Sequence, residues 1–274
     1  MAYKCILTIQ DISCVGQCST TVAMPILSAC GHETCILPTA ILSTHTGGFS
    51  KPVVTNLAKA SAEMWRHWHR EGVRFDAILT GYLGSIGAVE TACEIAEQML
   101  SDDGVLIVDP AMADHGKLYS GFDEEYVRAM EKLCRKADIL LPNITEAAIL
   151  TGTAWTEECD ADYVNKIIRA LSNDCVVLTG IGYDPDETGV LVKTGDCLSH
   201  YGHKRIGKSY HGTGDMFAAA FTGALLQEKT VEEAVRIAAD FTCKSIENTW
   251  ENPAHWYGVK FETALPYLIS MLQA

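Results

Sequence analysis

The chain has 274 residues, of which 48% are hydrophobic and 20% charged, and its 35 acidic against 21 basic side chains give a formal net charge of −14. This length and apolar content favour one sizeable core, so we expect a single domain over residues 1–274. The acidic balance, without a cluster of Lys and Arg, makes nucleic acid and anionic membrane surfaces poor partners, and we expect neither. Since no apolar segment reaches the roughly 18 residues that span a bilayer, we expect a soluble, cytoplasmic protein.

Short apolar runs alternate with helical patterns along most of the chain, which is typical of a parallel sheet covered by helices. The predicted strands are residues 4–9, 33–37, 77–80, 105–108, 138–141 and 175–178. The predicted helices between them are residues 19–30, 52–71, 86–100, 124–134 and 160–171. An antiparallel edge is predicted at residues 188–193 and 197–203, and three further helices begin near Gly214, Val231 and Lys260. The sequence therefore predicts an α/β fold with three layers, α/β/α, and a mostly parallel central sheet.

Polar residues and glycines follow each of the predicted parallel strands. These segments are residues 10–13, 38–49, 81–85, 109–114, 142–146 and 179–180. Ligands of such sheets bind at the carboxyl ends of the strands, so these segments are predicted to meet at one rim that carries the functional site.

The segment HGTGD, residues 211–215, places two glycines and an acid ahead of an almost wholly apolar run. At a helix start, the backbone N–H groups of Gly212, Thr213 and Gly214 can form a cradle for an anion, which the helix dipole strengthens. The common alternative is a turn followed by an acid in the first turn of a helix. Because burying an acid is costly without a partner or a task, we favour a carboxylate, Asp215, that accepts the proton of an alcohol while the cradle holds a phosphoryl group.

Gly212 to Asp215, followed by an Ala- and Phe-rich helix, resembles the signature of the ribokinase-like superfamily. Further segments occur in the order expected of pyridoxal kinases, and together they cover most of the chain. They are Ile9-Gln10, LSTHT at 42–46, Gly81-Tyr82, DPAMAD at 109–114 and PNITEA at 142–147. The chain thus resembles the pyridoxal/pyridoxamine kinases of the ribokinase-like superfamily. This resemblance implies transfer of the γ-phosphoryl group of ATP to the 5′-hydroxymethyl group of pyridoxal, pyridoxine or pyridoxamine.

The resemblance also assigns roles in catalysis and metal binding. It implies that Asp215 is the catalytic base, that the 212–214 amides form the anion hole, and that Asn143 and Glu146 organise Mg²⁺ largely through water. Asp109 is the second residue implied to lie at the metal. From spacing alone, an Asn N-cap with a capping-box acid three residues later is an equally good interpretation of residues 143 and 146, and both can hold.

The remaining roles are likewise implied by the resemblance. The residues implied to bind ATP are Asp109, Asp114, Tyr119, Asn143, Thr179 and Phe217. The residues implied to bind the vitamin are Asp11, Leu42, His45, Thr46, Tyr82 and His211. Without the resemblance, His45 is a loop histidine, Tyr119 a packing residue and Thr179 a strand-end hydroxyl. Asp11 and His211 depart from the residues common at these positions in pyridoxal kinases, and both departures bear on the choice of substrate.

ATP and Mg²⁺ are the expected cofactors, and a requirement for a monovalent cation such as K⁺ stays open. The expected partners are the small-molecule vitamer and ATP, and the resemblance suggests a homodimer. One alternative is hydroxymethylpyrimidine kinase, although the glycine-richer segment expected of it after the first strand is missing at residues 11–16. The other alternative is a non-catalytic protein that binds the vitamin or the nucleotide on the same scaffold.

Overall fold

A computed structural model describes residues 2–183, 186–207, 210–250, 252 and 254–274. The longer strands of its nine-stranded sheet are β1 (Cys5–Ser13), β2 (Glu33–Leu42), β4 (Phe75–Thr80), β5 (Leu100–Val108), β9 (Cys175–Thr179), β10 (Glu187–Thr194) and β11 (Cys197–Lys204). The short strands β3 (Val54–Asn56) and β8 (Ile139–Leu140) complete this sheet, and β6 (Ala113–Asp114) with β7 (Lys117–Leu118) forms a separate two-stranded ribbon.

The strands of the large sheet lie in the order β11-β10-β9-β8-β5-β4-β1-β2-β3. The six central strands, from β9 to β2, pair in parallel, whereas β10, β11 and β3 add antiparallel edges. The central strands are buried on both faces, which is why they appear in the sequence as continuous apolar runs without alternation. The predicted α/β class with a mostly parallel sheet is therefore confirmed.

Helices cover both faces of this sheet. They are α1 (Thr20–Ala29), α2 (Ala58–Arg70), α3 (Ile86–Met99), α4 (Glu124–Cys134), α5 (Ile144–Leu150), α6 (Ala161–Ala170), α7 (Thr213–Leu226), α8 (Val231–Trp250) and α9 (Leu265–Gln273). Two buried apolar clusters result, one between the sheet and α1, α7, α8 and α9, and the other between the sheet and α2 to α6. This arrangement gives the three predicted layers. Among the described residues, no helix is both long enough and apolar enough to cross a bilayer.

Several predicted boundaries are wrong. The first strand was expected to end at Ile9 but β1 continues to Ser13, and the fourth was expected to begin at Val105 but β5 begins at Leu100. The helix predicted to start at Pro52 starts at Ala58, because residues 54–56 instead extend the sheet as β3 by pairing with Ala40–Leu42 of β2. The second strand was expected to end at Leu37, but β2 continues to Leu42, past a bulge in its pairing with β1. The last helix was expected near Lys260, but a 3₁₀ turn over Phe261–Ala264 comes first and α9 begins at Leu265.

A cavity of about 490 Å³ opens at the carboxyl ends of the central strands. Its walls come from the segments that follow β5, β8 and β9, from β10 and α8, and from the first turn of α7. The fold therefore brings several of the predicted rim segments to one site, although they are far apart along the chain.

Candidate active site

The first turn of α7 forms one wall of the cavity, and Gly212 makes this turn possible. Its backbone lies in the left-handed region with φ = 80°, and a Cβ atom at this position would collide with the carbonyl oxygen of Gln17. Both features require glycine. Thr213 and Gly214 begin the helix and line the cavity beside it. Since the first N–H groups of an α-helix have no partner within the helix, this wall presents donors to an anion.

Asp215 is half-buried in the same turn and also lines the cavity. Its Oδ2 accepts a hydrogen bond of 2.9 Å from the backbone N–H of Ser19, just before α1. The pKa of the Asp215 carboxyl is raised to about 6, mainly by burial and to a lesser extent by the charge of Asp11, while the Ser19 hydrogen bond lowers it. Asp215 is thus ionised at neutral pH and can act as a proton acceptor.

Three further acids, Asp109, Asp114 and Glu146, line the cavity with Asp215, and two of them have a raised pKa. Asp109 follows β5, and its pKa is raised well above the ordinary value by burial and by the charges of Glu146 and Asp215. Burial raises the pKa of Glu146 to about 7, although backbone hydrogen bonds oppose this shift. The charges of Glu146 and Asp215 disfavour ionisation of Asp109, so a cation bound here would stabilise the site.

The predicted capping box at the start of α5 is confirmed. Asn143 Oδ1 accepts from the Glu146 N–H at 3.0 Å, and Glu146 Oε2 accepts from the Asn143 N–H at 2.9 Å. The other Glu146 oxygen accepts from the backbone N–H of Met112 at 2.9 Å, while Asn143 Nδ2 donates to the Ala113 carbonyl at 2.8 Å. Both side chains therefore fasten the segment after β5 to α5, in addition to lining the cavity.

The segment after β5 has an unusual backbone where it borders the cavity. Ala111 and His115 have positive φ angles of 34° and 49°, in a region that residues other than glycine rarely adopt. Asp109 Oδ1 accepts a 3.0 Å hydrogen bond from the Ala111 N–H and helps to hold this conformation. Asp114 and Tyr119, which both belong to the predicted ATP-binding set, lie farther along this segment and line the cavity.

The rest of the cavity lining comes from the end of β9, from β10 and β11 and from α7 and α8, and it was only partly predicted. Thr179 and Phe217 line the cavity as expected, although Phe217 also belongs to the apolar core under α7. Gly180 belongs to a predicted rim segment, whereas the sequence analysis missed Thr188, Gly189, Val190, His203, Ala239, Thr242 and Ile246. The predicted antiparallel edge was the available signal for the β10 members. Nothing in the α8 pattern distinguishes its cavity face from its core face.

Of the six residues implied to bind the vitamin, His211 lines the cavity and the other five do not. Asp11 is buried at 2% exposure, and its Oδ2 accepts a 3.0 Å hydrogen bond from the Ser13 hydroxyl. Tyr82 is half-buried and stacks on Phe122, with 5.4 Å between ring centroids. Its pKa is raised by burial and by the charge of Asp11, the same carboxylate that acts on Asp215. Asp11 therefore connects the two regions electrostatically.

His45, one of the residues implied to bind the vitamin, is held by hydrogen bonds within the protein. Its ring is buried at 4% exposure, and its Nδ1 accepts a hydrogen bond of 3.1 Å from the Gly47 N–H. The other nitrogen, Nε2, therefore carries the proton and donates to the Tyr257 carbonyl at 2.8 Å. Burial lowers the pKa of His45, so the ring stays neutral. Both ring nitrogens are occupied by the protein, and His45 fixes the loop after β2. Leu42 is buried at the end of β2, and Thr46 is exposed in the loop.

Aromatic rings surround His45 and form what we call the aromatic cluster: His45, Phe49, His211, Trp256 and Tyr257. The His45 ring lies 5.2 Å from that of His211 and 4.9 Å from that of Phe49, and the Phe49 ring lies 4.7 Å from that of Trp256. A Cβ atom on Gly47 would collide with the His211 ring, so glycine is needed for this close approach. Sequence analysis missed Phe49, Trp256 and Tyr257, because their partners are distant along the chain.

Comparison with known proteins places this geometry in a family. The phosphomethylpyrimidine kinase family model matches residues 26–259 of the chain. A hydroxymethylpyrimidine/phosphomethylpyrimidine kinase of Bacillus subtilis is 29% identical, in a match that covers 65% of this chain and 66% of that protein. This match therefore spans slightly less than two thirds of the length of the relative.

Solved structures match over nearly the whole chain. The crystal structure of pyridoxal kinase from Lactobacillus plantarum is 31% identical, covers 98% of this chain and 97% of its own, and superposes with a TM-score of 0.89. The pyridoxal kinase of Staphylococcus aureus in complex with ADP is 26% identical, with coverages of 95% and 94% and a TM-score of 0.80. The fold is ribokinase-like, as the sequence predicted.

Proposed function

Because the chain belongs to the phosphomethylpyrimidine kinase family, we propose that it transfers the γ-phosphoryl group of ATP to the 5′-hydroxymethyl group of pyridoxal, pyridoxine or pyridoxamine. The observation that carries this proposal is the shared cavity, in which Asp215 lies in the same helical turn as the 212–214 amides. The likeness to the pyridoxal kinase of Lactobacillus plantarum over nearly the whole chain supports vitamin B6 as the substrate class. ADP in the Staphylococcus aureus structure supports the nucleotide.

Asp215 is the proposed base, and its pKa decides when the proton moves. A carboxyl with a pKa of about 6 and an alcohol with a pKa of roughly 16 differ by about 10 units, or roughly 14 kcal/mol. Asp215 therefore does not form an alkoxide before the reaction. It orients the hydroxyl group and accepts the proton late, after the loose transition state has made the oxygen acidic.

The 212–214 amides are proposed to hold the transferred phosphoryl group. Their position is fixed, because Gly212 is locked in its left-handed conformation and α7 is buried on nearly every side. Donors fixed before the reaction cost no reorganisation in the transition state, and each well-placed donor contributes about 3–4 kcal/mol. Rigidity of this turn is therefore as important as its charge.

The acids of the cavity fit a magnesium ion. Asp109 has one carboxylate oxygen bound to the Ala111 N–H, which leaves the other to contact a cation directly or through water. Glu146 already accepts three backbone hydrogen bonds, so it would act mainly by positioning Asp109 and by adding negative charge. When bound, Mg²⁺ would neutralise charge on the phosphates. Thr179, Tyr119, Asp114 and Asn143 are proposed to surround the nucleotide, with Phe217 in the cavity wall.

The proposed vitamin site lies between Asp11, Tyr82 and His211, with Leu42 and His45 supporting it from behind and Thr46 at its exposed margin. Tyr82 would offer its ring face to the pyridine, and Asp11 a carboxylate to a polar group of the ring. We also propose that the chain is a single-domain enzyme of the cytoplasm and that it forms a homodimer. We do not propose a requirement for K⁺.

Hydroxymethylpyrimidine kinase is the second candidate, favoured by the family match and by the Bacillus subtilis relative. The test is to incubate the purified protein with ATP and Mg²⁺ and, separately, pyridoxal, pyridoxine, pyridoxamine and hydroxymethylpyrimidine. Phosphorylated product and ADP release should be greatest with a B6 vitamer. Turnover of the pyrimidine alcohol alone would select the second candidate, and binding without any ADP release would mean a non-catalytic binding protein.

A further inference from the structure

A second group of reactive side chains lies at the amino-terminal edge of the sheet, opposite the cavity. Cys5 begins β1 and Glu33 begins β2, and the two residues are direct neighbours in the parallel pairing of these strands. Cys35 lies two residues after Glu33, so its side chain projects from the same face of the sheet. The kinase chemistry proposed above uses none of these residues.

The geometry of the three side chains matches that of a metal site. The sulfur atoms of Cys5 and Cys35 are 3.8 Å apart, and a Glu33 carboxylate oxygen and both sulfurs all lie within 4.8 Å of one another. In a tetrahedral site with Zn–S bonds of about 2.3 Å, two sulfur ligands are about 3.8 Å apart. The two thiols therefore already have the spacing that one shared metal ion requires.

The surroundings of the cluster suit a cation. The Tyr3 hydroxyl donates to Glu33 Oε2 at 3.3 Å, which orients the carboxylate and leaves its other oxygen available. Lys4, which precedes Cys5 in the chain, is paired with Asp76 at 3.3 Å. Burial, then the neighbouring Cys35 thiol and the acids Glu33 and Asp76, raise the pKa of the Cys5 thiol to about 12, and burial also raises the pKa of Cys35. A divalent ion would offset this cost, because metal binding deprotonates the thiols it contacts.

Access and chemistry define which ion fits. Cys5 and Cys35 are half-buried and Glu33 is exposed, so an ion can enter from solvent and a water molecule can complete the coordination. Two thiolates with one carboxylate favour a soft or borderline metal over Mg²⁺, which prefers oxygen ligands alone. We propose that Cys5, Glu33 and Cys35 bind a thiophilic divalent cation such as Zn²⁺, which joins β1 to β2 and stabilises the fold without entering the kinase reaction.

The first test uses Co²⁺, whose bonds to thiolate give a charge-transfer absorption band in the near ultraviolet. The reduced, metal-free protein should bind one Co²⁺ with this band, and Cys35→Ser should weaken binding by about 100-fold or more. The exposed Cys197, changed to Ser, is the matched control and should leave the band intact. Absence of the band in the unaltered protein, or its persistence in both Cys35→Ser and Cys5→Ser, would overturn the proposal.

The second test uses Zn²⁺ and thermal unfolding. Because a ligand that binds the native state stabilises it, Zn²⁺ should raise the unfolding midpoint of the unaltered protein and of Cys197→Ser, but not of Cys35→Ser. Glu33→Gln, which keeps both thiols, should reduce the Zn²⁺-dependent rise. A rise of equal size in Cys35→Ser would contradict the proposal. Kinase activity with Mg²⁺ should be the same in all three variants, so this result is independent of the proposed function.

Discussion

The acidic end of the candidate site, around Asp215, differs in its construction from the aromatic cluster around His45. At the acidic end the capping box joins residues three positions apart, and Asp215 follows its amide cradle directly. In the aromatic cluster, His45 binds the carbonyl of Tyr257, which is 212 residues away. The acidic end presents carboxylates, whereas the aromatic cluster presents packed rings. We infer that the first determines the reaction and the second determines which alcohol is accepted.

The largest expected effect comes from removing the proton acceptor at the acidic end. Asp215→Asn keeps the size of the side chain and an oxygen for the Ser19 N–H, but it cannot take the proton. We expect kcat to fall by about 100-fold or more while the affinity for ATP changes little. Steady-state kinetics and nucleotide titration measure both, with the exposed Asp162→Asn as a control. A loss below about tenfold would mean that another group is the base.

Alanine variants of two glycines in the cradle distinguish the effect of backbone strain from the effect of an added methyl group in the cavity. Gly212→Ala forces a side chain into a left-handed backbone and against the Gln17 carbonyl, so we expect lower stability, by about 1–2 kcal/mol or more, and a rate at least about tenfold lower. Gly214→Ala has open space for its methyl group, so its unfolding midpoint should stay the same. Thermal unfolding of both variants tests this contrast, and equal destabilisation would contradict it.

At the other end, loss of an aromatic ring should change substrate affinity more than chemistry. Phe49→Ala removes the ring between His45 and Trp256, which frees the loop after β2. We expect KM for the vitamin to rise about tenfold, with kcat and KM for ATP within about twofold of the original values. Tyr267→Ala, which removes an exposed ring from α9, is the control. An equal fall of kcat would show that the cluster also positions the reacting atoms.

The smallest expected effect is a pH-dependent change in the unfolding midpoint of Asp215→Asn. The pKa of Asp215 has the ordinary value of 3.8 in the unfolded chain and is about 6 in the folded protein. Protonated Asp215 therefore adds to the free energy of unfolding below pH 3.8, and this contribution is lost as pH rises through about 6. Ionised Asp215 therefore destabilises the protein at pH 8, and Asp215→Asn should raise the unfolding midpoint there by about 2–4 °C. The difference should shrink towards zero at pH 4. A variant that is less stable at pH 8 would contradict this account.

Sequence reasoning succeeded where the signals are local. Apolar runs identified the central strands because these strands are buried on both faces, and the Asn143 to Glu146 spacing identified a real capping box. It failed at the start of the helix predicted over residues 52–71, where pairing with β2 makes residues 54–56 a strand. Edge strands are decided by their neighbours, which no local pattern records.

The candidate site divides in the same way. The residues implied at the phosphates, from Asp109 to Asp215, line one cavity, whereas His45 proved to be a buried loop anchor with both ring nitrogens occupied. Phe49 and Trp256 were missed because their contact joins a loop after β2 to a segment near the end of the chain. Short motifs reveal groups that act within one turn, but aromatic packing across the fold appears only in three dimensions.

The most direct test of the central claim is the pH dependence of kcat/KM for the B6 vitamer, measured with saturating ATP and Mg²⁺. If Asp215 accepts the proton, the unaltered protein should lose activity as pH falls through about 6, because the carboxyl becomes protonated. The residual activity of Asp215→Asn should lack this decline. An identical acid limb in the variant would contradict the account, since a different group would then be titrating.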